Sequence, residues 1–214
     1  MDILHFLLDL VLHTKETLTS LITEYQTSTY IILCLIIFCE TGLVATPFLP
    51  GDSLLFTAGM LTASTGILNI WLLIILLILA AIIGDNVNYF IGRKIGEKIF
   101  DIKFLNKLVK REYLDKTHVF FEKHGGGAII IARFVPFVRT FAPFAAGLGK
   151  MQYRKYIGFC LAGAVLWVPL LSLAGYFLGN IEIVKNNFEK VIFIIIGISV
   201  LPIIIGYFKS RLKK

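Results

Sequence analysis

The chain has 214 residues, of which 57% are hydrophobic and 16% charged, against roughly a quarter charged in soluble globular domains. That balance excludes a water-soluble globular protein, and also a disordered one, which needs low hydrophobicity and high charge. The net charge of +7, from 21 Lys+Arg against 14 Asp+Glu, reads on so apolar a chain as membrane topology rather than nucleic-acid binding, because cytoplasmic loops collect Lys and Arg and the anionic inner leaflet attracts them.

Residues 1–24 set Ile3, Leu4, Phe6, Leu7, Leu8, Leu10, Val11 and Leu12 against Asp2, Asp9, Lys15 and Glu16. The run is too short and too charged to span, and predicts an interfacial amphipathic segment. It opens without a basic n-region or cleavage site, so a secretory signal peptide is not expected. From Tyr25 to Gly84 the only charges are Glu40 and Asp52. Leg 29–46 runs into Thr46-Pro47-Phe48-Leu49-Pro50-Gly51-Asp52, where two prolines and a glycine break a helix. The next leg, Ser53–Ala63, closes at Ser64-Thr65-Gly66 and rises only about 16 Å, half the hydrocarbon thickness. The pattern predicts a re-entrant hairpin over 29–63, followed by a full span over 67–92.

Residues 93–124 carry nine Lys/Arg and five Asp/Glu, with Phe100, Phe104, Leu105, Leu108 and Val109 at helical spacing. They predict a basic amphipathic linker on the cytoplasmic face. Segment 125–149 is apolar except for Arg133 and Arg139, and Pro136 and Pro143 divide it into legs too short to cross. It predicts a second re-entrant hairpin, entering from the opposite side to the first. Spans follow over 156–179 and 191–208, the latter kinked at Pro202, and then a basic tail, 209–214. The fold class is therefore all-α integral membrane: about three full transmembrane helices plus two opposed, Pro-broken re-entrant hairpins and amphipathic interfacial helices, in one domain over 25–208. The positive-inside rule puts the linker, the Lys150/Arg154/Lys155 cluster and the C-terminus in the cytoplasm.

Glu40, Asp52, Arg133 and Arg139 carry the most information. Each ionised side chain at the bilayer centre costs ~2.5–3.5 kcal/mol, so four unpaired ones cost on the order of 10–14 kcal/mol, comparable to a whole domain's stability. They must pair, face water or bind something. Two acids in the first hairpin and two arginines in the second compensate one another if the tips meet at mid-membrane. Arginine suits phosphate, because its planar fork makes bidentate bonds to phosphate oxygens, and broken helices around a midplane substrate are a transporter arrangement. A carboxylate carried into low dielectric can exchange a proton rather than hold a fixed charge, which makes Glu40 and Asp52 candidates for proton coupling or charge pairing. The competing reading is purely structural ion pairs.

Asp85 is a secondary candidate. Gly84, Asn88 and Gly92, spaced by four, read as a small-residue packing face. Trp71, Trp167 and the tyrosines near segment ends read as interface or packing residues. Gly125-Gly126-Gly127 lacks the Gly-Lys-Ser/Thr of a nucleotide loop. His5, His13, His118 and His124 lack metal-ligand spacing, and Cys34, Cys39 and Cys160 lie in apolar stretches. No nucleophile or metal constellation stands beside the arginines. The expectation is a transporter rather than an enzyme, with no cofactor and no metal.

The ordered motifs Phe48-Leu49-Pro50-Gly51-Asp52-Ser53-Leu54-Leu55, Gly84-Asp85-Asn86-x-Asn88-Tyr89-x-x-Gly92-Arg93, Phe121-Glu122-Lys123-His124-Gly125-Gly126, Arg133-Phe134-x-Pro136-x-x-Arg139-Thr140-x-x-Pro143-x-x-Ala146-Gly147 and Gly163-Ala164-x-x-Trp167 together resemble the DedA family of bacterial inner-membrane proteins, nearest its founding branch. Cys160 departs from the pattern, since many relatives are expected to carry a polar Asn there. The resemblance implies two opposed re-entrant hairpins, shared with the eukaryotic VTT-domain lipid scramblases, in a multi-pass protein of the bacterial inner membrane. It implies that Glu40 and Asp52 match the family's essential acids and Arg133 and Arg139 its essential arginines. It also implies movement of lipids across the bilayer. The expected function is flipping or scrambling of a phosphate-bearing lipid, such as undecaprenyl phosphate or a phospholipid, with the arginines on the headgroup and protons as a coupling partner. The alternative is a proton-coupled ion or small-cation antiporter contributing to membrane energetics and drug resistance.

Overall fold

The computed structural model of the chain describes residues 14–43, 51–98, 125–135, 138–179 and 181. Among them all regular structure is helical: α1 (Thr14–Tyr25), a single 3-10 turn (Gln26–Ser28), α2 (Thr29–Gly42), α3 (Gly51–Thr65), α4 (Ile70–Lys98), α5 (Gly127–Arg133), α6 (Val138–Leu148) and α7 (Tyr153–Leu178). Three stretches are long and apolar enough to cross a membrane: Thr14–Gly42, Ile70–Ile95 and Tyr153–Leu178. The last two match expected spans. Residues 93–98 of the expected linker 93–124 are instead the end of α4, and its remainder 99–124, the expected span 191–208 and the apex residues Pro47, Pro50 and Pro136 lie outside the described residues.

Residues 14–24, the described part of the expected interfacial amphipathic segment, form α1, which one tight turn joins to α2. Gln26 takes a left-handed φ of 43° at that turn, and Thr29 Oγ1 ties the turn to the Leu21 carbonyl at 3.0 Å. α1 buries Leu18, Leu21 and Ile22, the apolar side of its pattern.

By its contacts the chain divides into two compact units. One comprises Met1–Ile37, Phe48–Leu79 and Leu166–Lys214, the other Phe38–Pro47 and Ala80–Val165. The first unit is organised around α3. Its fifteen residues rise about 22 Å, short of a crossing, and every residue from Gly51 to Thr62 is buried. A helix buried all round needs its polar side chains satisfied internally. Thr57, Thr62 and Thr65 turn their hydroxyls back onto the carbonyls of Ser53, Ala58 and Leu61, at 2.6, 2.7 and 2.7 Å. α1 packs on α3. α7 approaches it so closely that a methyl group at Gly59 would overlap the Ser172 carbonyl, and one at Gly175 the Phe56 carbonyl. Gly66 closes α3 with a φ of 67° and donates to Thr62 O at 3.1 Å, a left-handed C-cap that favours glycine. Asn69 then caps α4, its Oδ1 accepting from the N–H groups of Trp71 and Leu72 at 2.9 and 3.1 Å.

In the second unit, α5 and α6 are seven and eleven residues long, each too short to cross, and they pack on one another. Pro143 lies inside α6 rather than at a break, which corrects the expectation that it divides this segment. A proline here forgoes only the bond to the Arg139 carbonyl, a loss that apolar helices tolerate where neighbouring protein surrounds the gap. The core of the unit gathers Tyr89, Ile129, Ala146, Met151, Tyr156 and Cys160. Tyr89 stacks on Tyr156 with ring centroids 4.3 Å apart and donates its hydroxyl to Met151 O at 2.5 Å.

Loss of the α4 cap in Asn69→Ala is expected to cost about 1 kcal/mol. Gly66→Ala, forced into a left-handed conformation, is expected to cost about 1–2 kcal/mol. Each lowers the melting temperature of the detergent-purified protein by ~2–8 °C, measured by static light scattering or tryptophan fluorescence on heating.

Candidate functional site

Within the second unit the sequence-singled charges form two buried ion pairs: Arg139 with Glu40, and Arg133 with Asp85. The Arg139 and Glu40 side chains are 9% and 1% exposed, those of Arg133 and Asp85 6% and 4%. Two cations and two anions neutralise one another, which is what a low-dielectric setting demands.

The pairs differ in how their helices treat them. Glu40 lies in the last turn of α2, at the negative end of the helix dipole, and Arg139 lies in the first turn of α6, at the positive end. Each helix disfavours the charge it carries, so each charge depends on the other. Arg133 is the last residue of α5 and Asp85 lies in the middle of α4, so no helix end opposes that pair. It is also braced further. Cys160 Sγ lies 3.3 Å from Asp85 Oδ2 as a donor, and Tyr156 donates its hydroxyl to the Asp85 carbonyl at 2.8 Å. Gly163 leaves room for the Arg133 stem, for a Cβ there would meet Arg133 Cδ at 3.1 Å.

Asp52 belongs to the first unit, in the opening turn of α3, where a helix dipole favours an anion. It accepts a hydrogen bond from Trp167 Nε1 at 3.0 Å, and both side chains are buried.

The Gly84, Asn88, Gly92 face is a packing face. Gly84 lets the α2 backbone approach at Phe38 and Gly42, and Gly92 lets in Phe144 of α6. Gly147 of α6 meets Tyr89 in return. Midway, Asn88 Nδ2 donates to the carbonyls of Thr41 at 3.0 Å and Thr140 at 2.6 Å. Its Oδ1 is buried without a hydrogen-bond partner among the described residues.

Of the residues singled out from the sequence, Glu40, Arg139, Arg133 and Asp85 thus fall in paired contact. Gly51 starts α3 and Asp52 follows it. Asp85 ranked too low because the segment containing it seemed to end at Gly92. The helix runs on to Lys98, which puts Asp85 deep within it. Of the interface and packing roles expected for the tryptophans, Trp167 takes packing: it is buried, and a buried indole N–H needs an acceptor. Trp71, at 64% exposure, fits the interface reading. Cys160 keeps a polar contact at the position where the family pattern led us to expect Asn.

The model of the VTT domain matches residues 49–177, a stretch that begins after Glu40. "Protein DedA" of Escherichia coli strain K12 is 54% identical over 212 residues, 99% of this chain and 96% of that protein. This chain belongs to the DedA family. An uncharacterized membrane protein of Mycobacterium leprae is 48% identical over 171 residues, 80% of this chain and 76% of its own length. The "Inner membrane protein YqjA" of E. coli K12 is 34% identical over 177 residues, 83% of this chain and 80% of its own. No solved structure matches. The DedA-family assignment and the three long apolar helices together make this a membrane protein.

Removing one member of a buried pair strands the other, at a cost of about 3–5 kcal/mol, while an apolar pair of similar volume is tolerated. Arg139→Met and Glu40→Leu are each expected to lower the melting temperature clearly, and the double variant to recover most of the loss. The Arg133→Met and Asp85→Leu series is expected to behave alike, with a smaller recovery because Cys160 loses its acceptor. Thermal unfolding in detergent measures both series.

Proposed function

We propose that this DedA-family protein moves a phosphate-bearing lipid across the membrane, Arg139 and Arg133 engaging the headgroup phosphate and Glu40 and Asp52 serving proton coupling or charge pairing. The short α3, α5 and α6 belong, on this reading, to two re-entrant hairpins entering from opposite sides, and the C-terminus lies in the cytoplasm. The observation that carries the reading is the Glu40–Arg139 pair. It is buried, and each member stands at the helix end that disfavours it. Such a pair exchanges partners at low cost. A phosphate offers Arg139 two oxygens in a geometry that suits its fork at least as well as a carboxylate, and its negative charge also suits the first turn of α6. Glu40, released, takes a proton in place of its cation. The exchange conserves charge: the phosphate replaces the carboxylate on arginine, and the proton replaces arginine on the carboxylate.

The Arg133–Asp85 pair, anchored by Cys160 and Tyr156, supports a second contact that holds its geometry while Arg139 changes partner. Asp52, favoured by its own helix end and held by Trp167, is the acid that keeps its place.

The test uses the purified protein in phosphatidylethanolamine–phosphatidylglycerol liposomes containing a fluorescent phospholipid, with flipping read by dithionite quenching. Arg139→Lys keeps the charge and loses the fork, so the rate is expected to fall by about tenfold or more. Glu40→Gln, fixed in the uncharged form, is expected to flatten the dependence of flipping on an imposed pH gradient. Proton flux with no lipid movement would favour the antiporter, and release of inorganic phosphate would mark an enzyme. Unchanged flipping in both variants rejects the assignment.

A further inference from the structure

We infer that Asn88 is a positioning residue that couples the Glu40–Arg139 pair to the spacing of the two helices that carry it, a role that rests on the transport reading above. Its carboxamide donates to two carbonyls on two different helices, Thr41 O of α2 and Thr140 O of α6. Each carbonyl belongs to the residue directly after a member of the ion pair, Glu40 on one side and Arg139 on the other. The clamp therefore grips the backbone one residue from each charge.

The Thr41 carbonyl lies in the last turn of α2, and Asn88 gives it a donor from α4. The carboxamide reaches both backbones only while α2 and α6 lie side by side, so it favours the arrangement in which Glu40 and Arg139 meet. Glycine contacts flank it on both sides, Gly84 against α2 and Gly92 against α6. These contacts fix how near the helices come, and they lack side chains that would resist separation. Asn88 is the polar link between two smooth contacts. Its own Oδ1 is buried without a partner among the described residues. An arrangement with an unmet acceptor is less deep than a fully satisfied one, as a contact that opens and closes requires.

Opening the pair therefore means releasing at least one of the two carbonyl bonds. The two bonds together, at the ordinary net strength of neutral hydrogen bonds, bias the open–closed equilibrium by on the order of tenfold or more. With leucine at 88 the side-chain volume is kept and both donors are lost.

Spin labels attached through Leu43→Cys and Phe141→Cys, both exposed positions, report the spacing of α2 and α6. Cys34 and Cys39 are replaced by alanine, and the buried Cys160 is retained. The full-length protein in liposomes is expected to give a narrow distance distribution, and Asn88→Leu a broadened one with a longer component. If Asn88→Leu does not fold, Asn88→Ser, with a single donor, is expected to broaden the distribution less. An unchanged distribution in the folded variant overturns the inference. In the flipping assay, Asn88→Leu is expected to lose about tenfold and to add no further loss to Arg139→Lys, because both act on one pair. Additive losses overturn the positioning role and leave Asn88 an independent brace. If the parent protein moves no fluorescent lipid, the transport reading fails, and the distance distributions alone decide the clamp.

Discussion

An ionised group carried into apolar surroundings needs an opposite charge within reach, and the second unit is arranged to provide one twice. Glu40 meets Arg139, and Asp85 meets Arg133. The two pairs are alike in burial but not in support. One stands at helix ends of the wrong sign, and the other is held by a thiol, a phenol and a helix interior. The unfavourable placement makes each charge a standing demand on its partner.

The helix that serves both pairs is α4. It presents Asp85 to Arg133 and, three residues on, Asn88 to the backbones that carry Glu40 and Arg139. Its glycines let neighbouring backbones approach to near contact, the mode of packing favoured where the surrounding solvent offers no hydrophobic drive. Small residues and polar links therefore do the work that bulky apolar side chains do in a water-soluble core.

Much of this was legible in the sequence. A 24-residue stretch without charge, 156–179, announces a span, and four charges in apolar runs announce a polar interior, because the cost of leaving them unpaired is large. That the arginines meet buried acids follows from that cost, but which acid meets Arg139 does not. The choice of partner for Arg133 did not follow, because it depends on how deep Asp85 lies in its helix, and hydropathy does not fix where a helix with a charged end stops. The apolar positions of residues 14–24 were legible as one side of a helix, but not that this helix packs on α3, because the partner lies elsewhere in the chain. Pro143 read as a break because local preference forbids it in water, but packing overrides that preference inside α6. Trp167 and Asn88 read as packing residues, but their roles as donors gave no local signal, since the value of a donor depends on acceptors many residues away.

Within the first unit, α3 is buried on every side and carries Asp52, whose indole partner comes 115 residues later in the chain. At ribosomal speeds of ~5–20 residues per second, that separation is on the order of 6–23 seconds. For that interval the acid and the backbone around Gly59 lack the helix that will enclose them. The nascent chain must shelter α3 at the membrane until α7 emerges, so completion of this unit's interior is tied to the order in which its helices leave the ribosome.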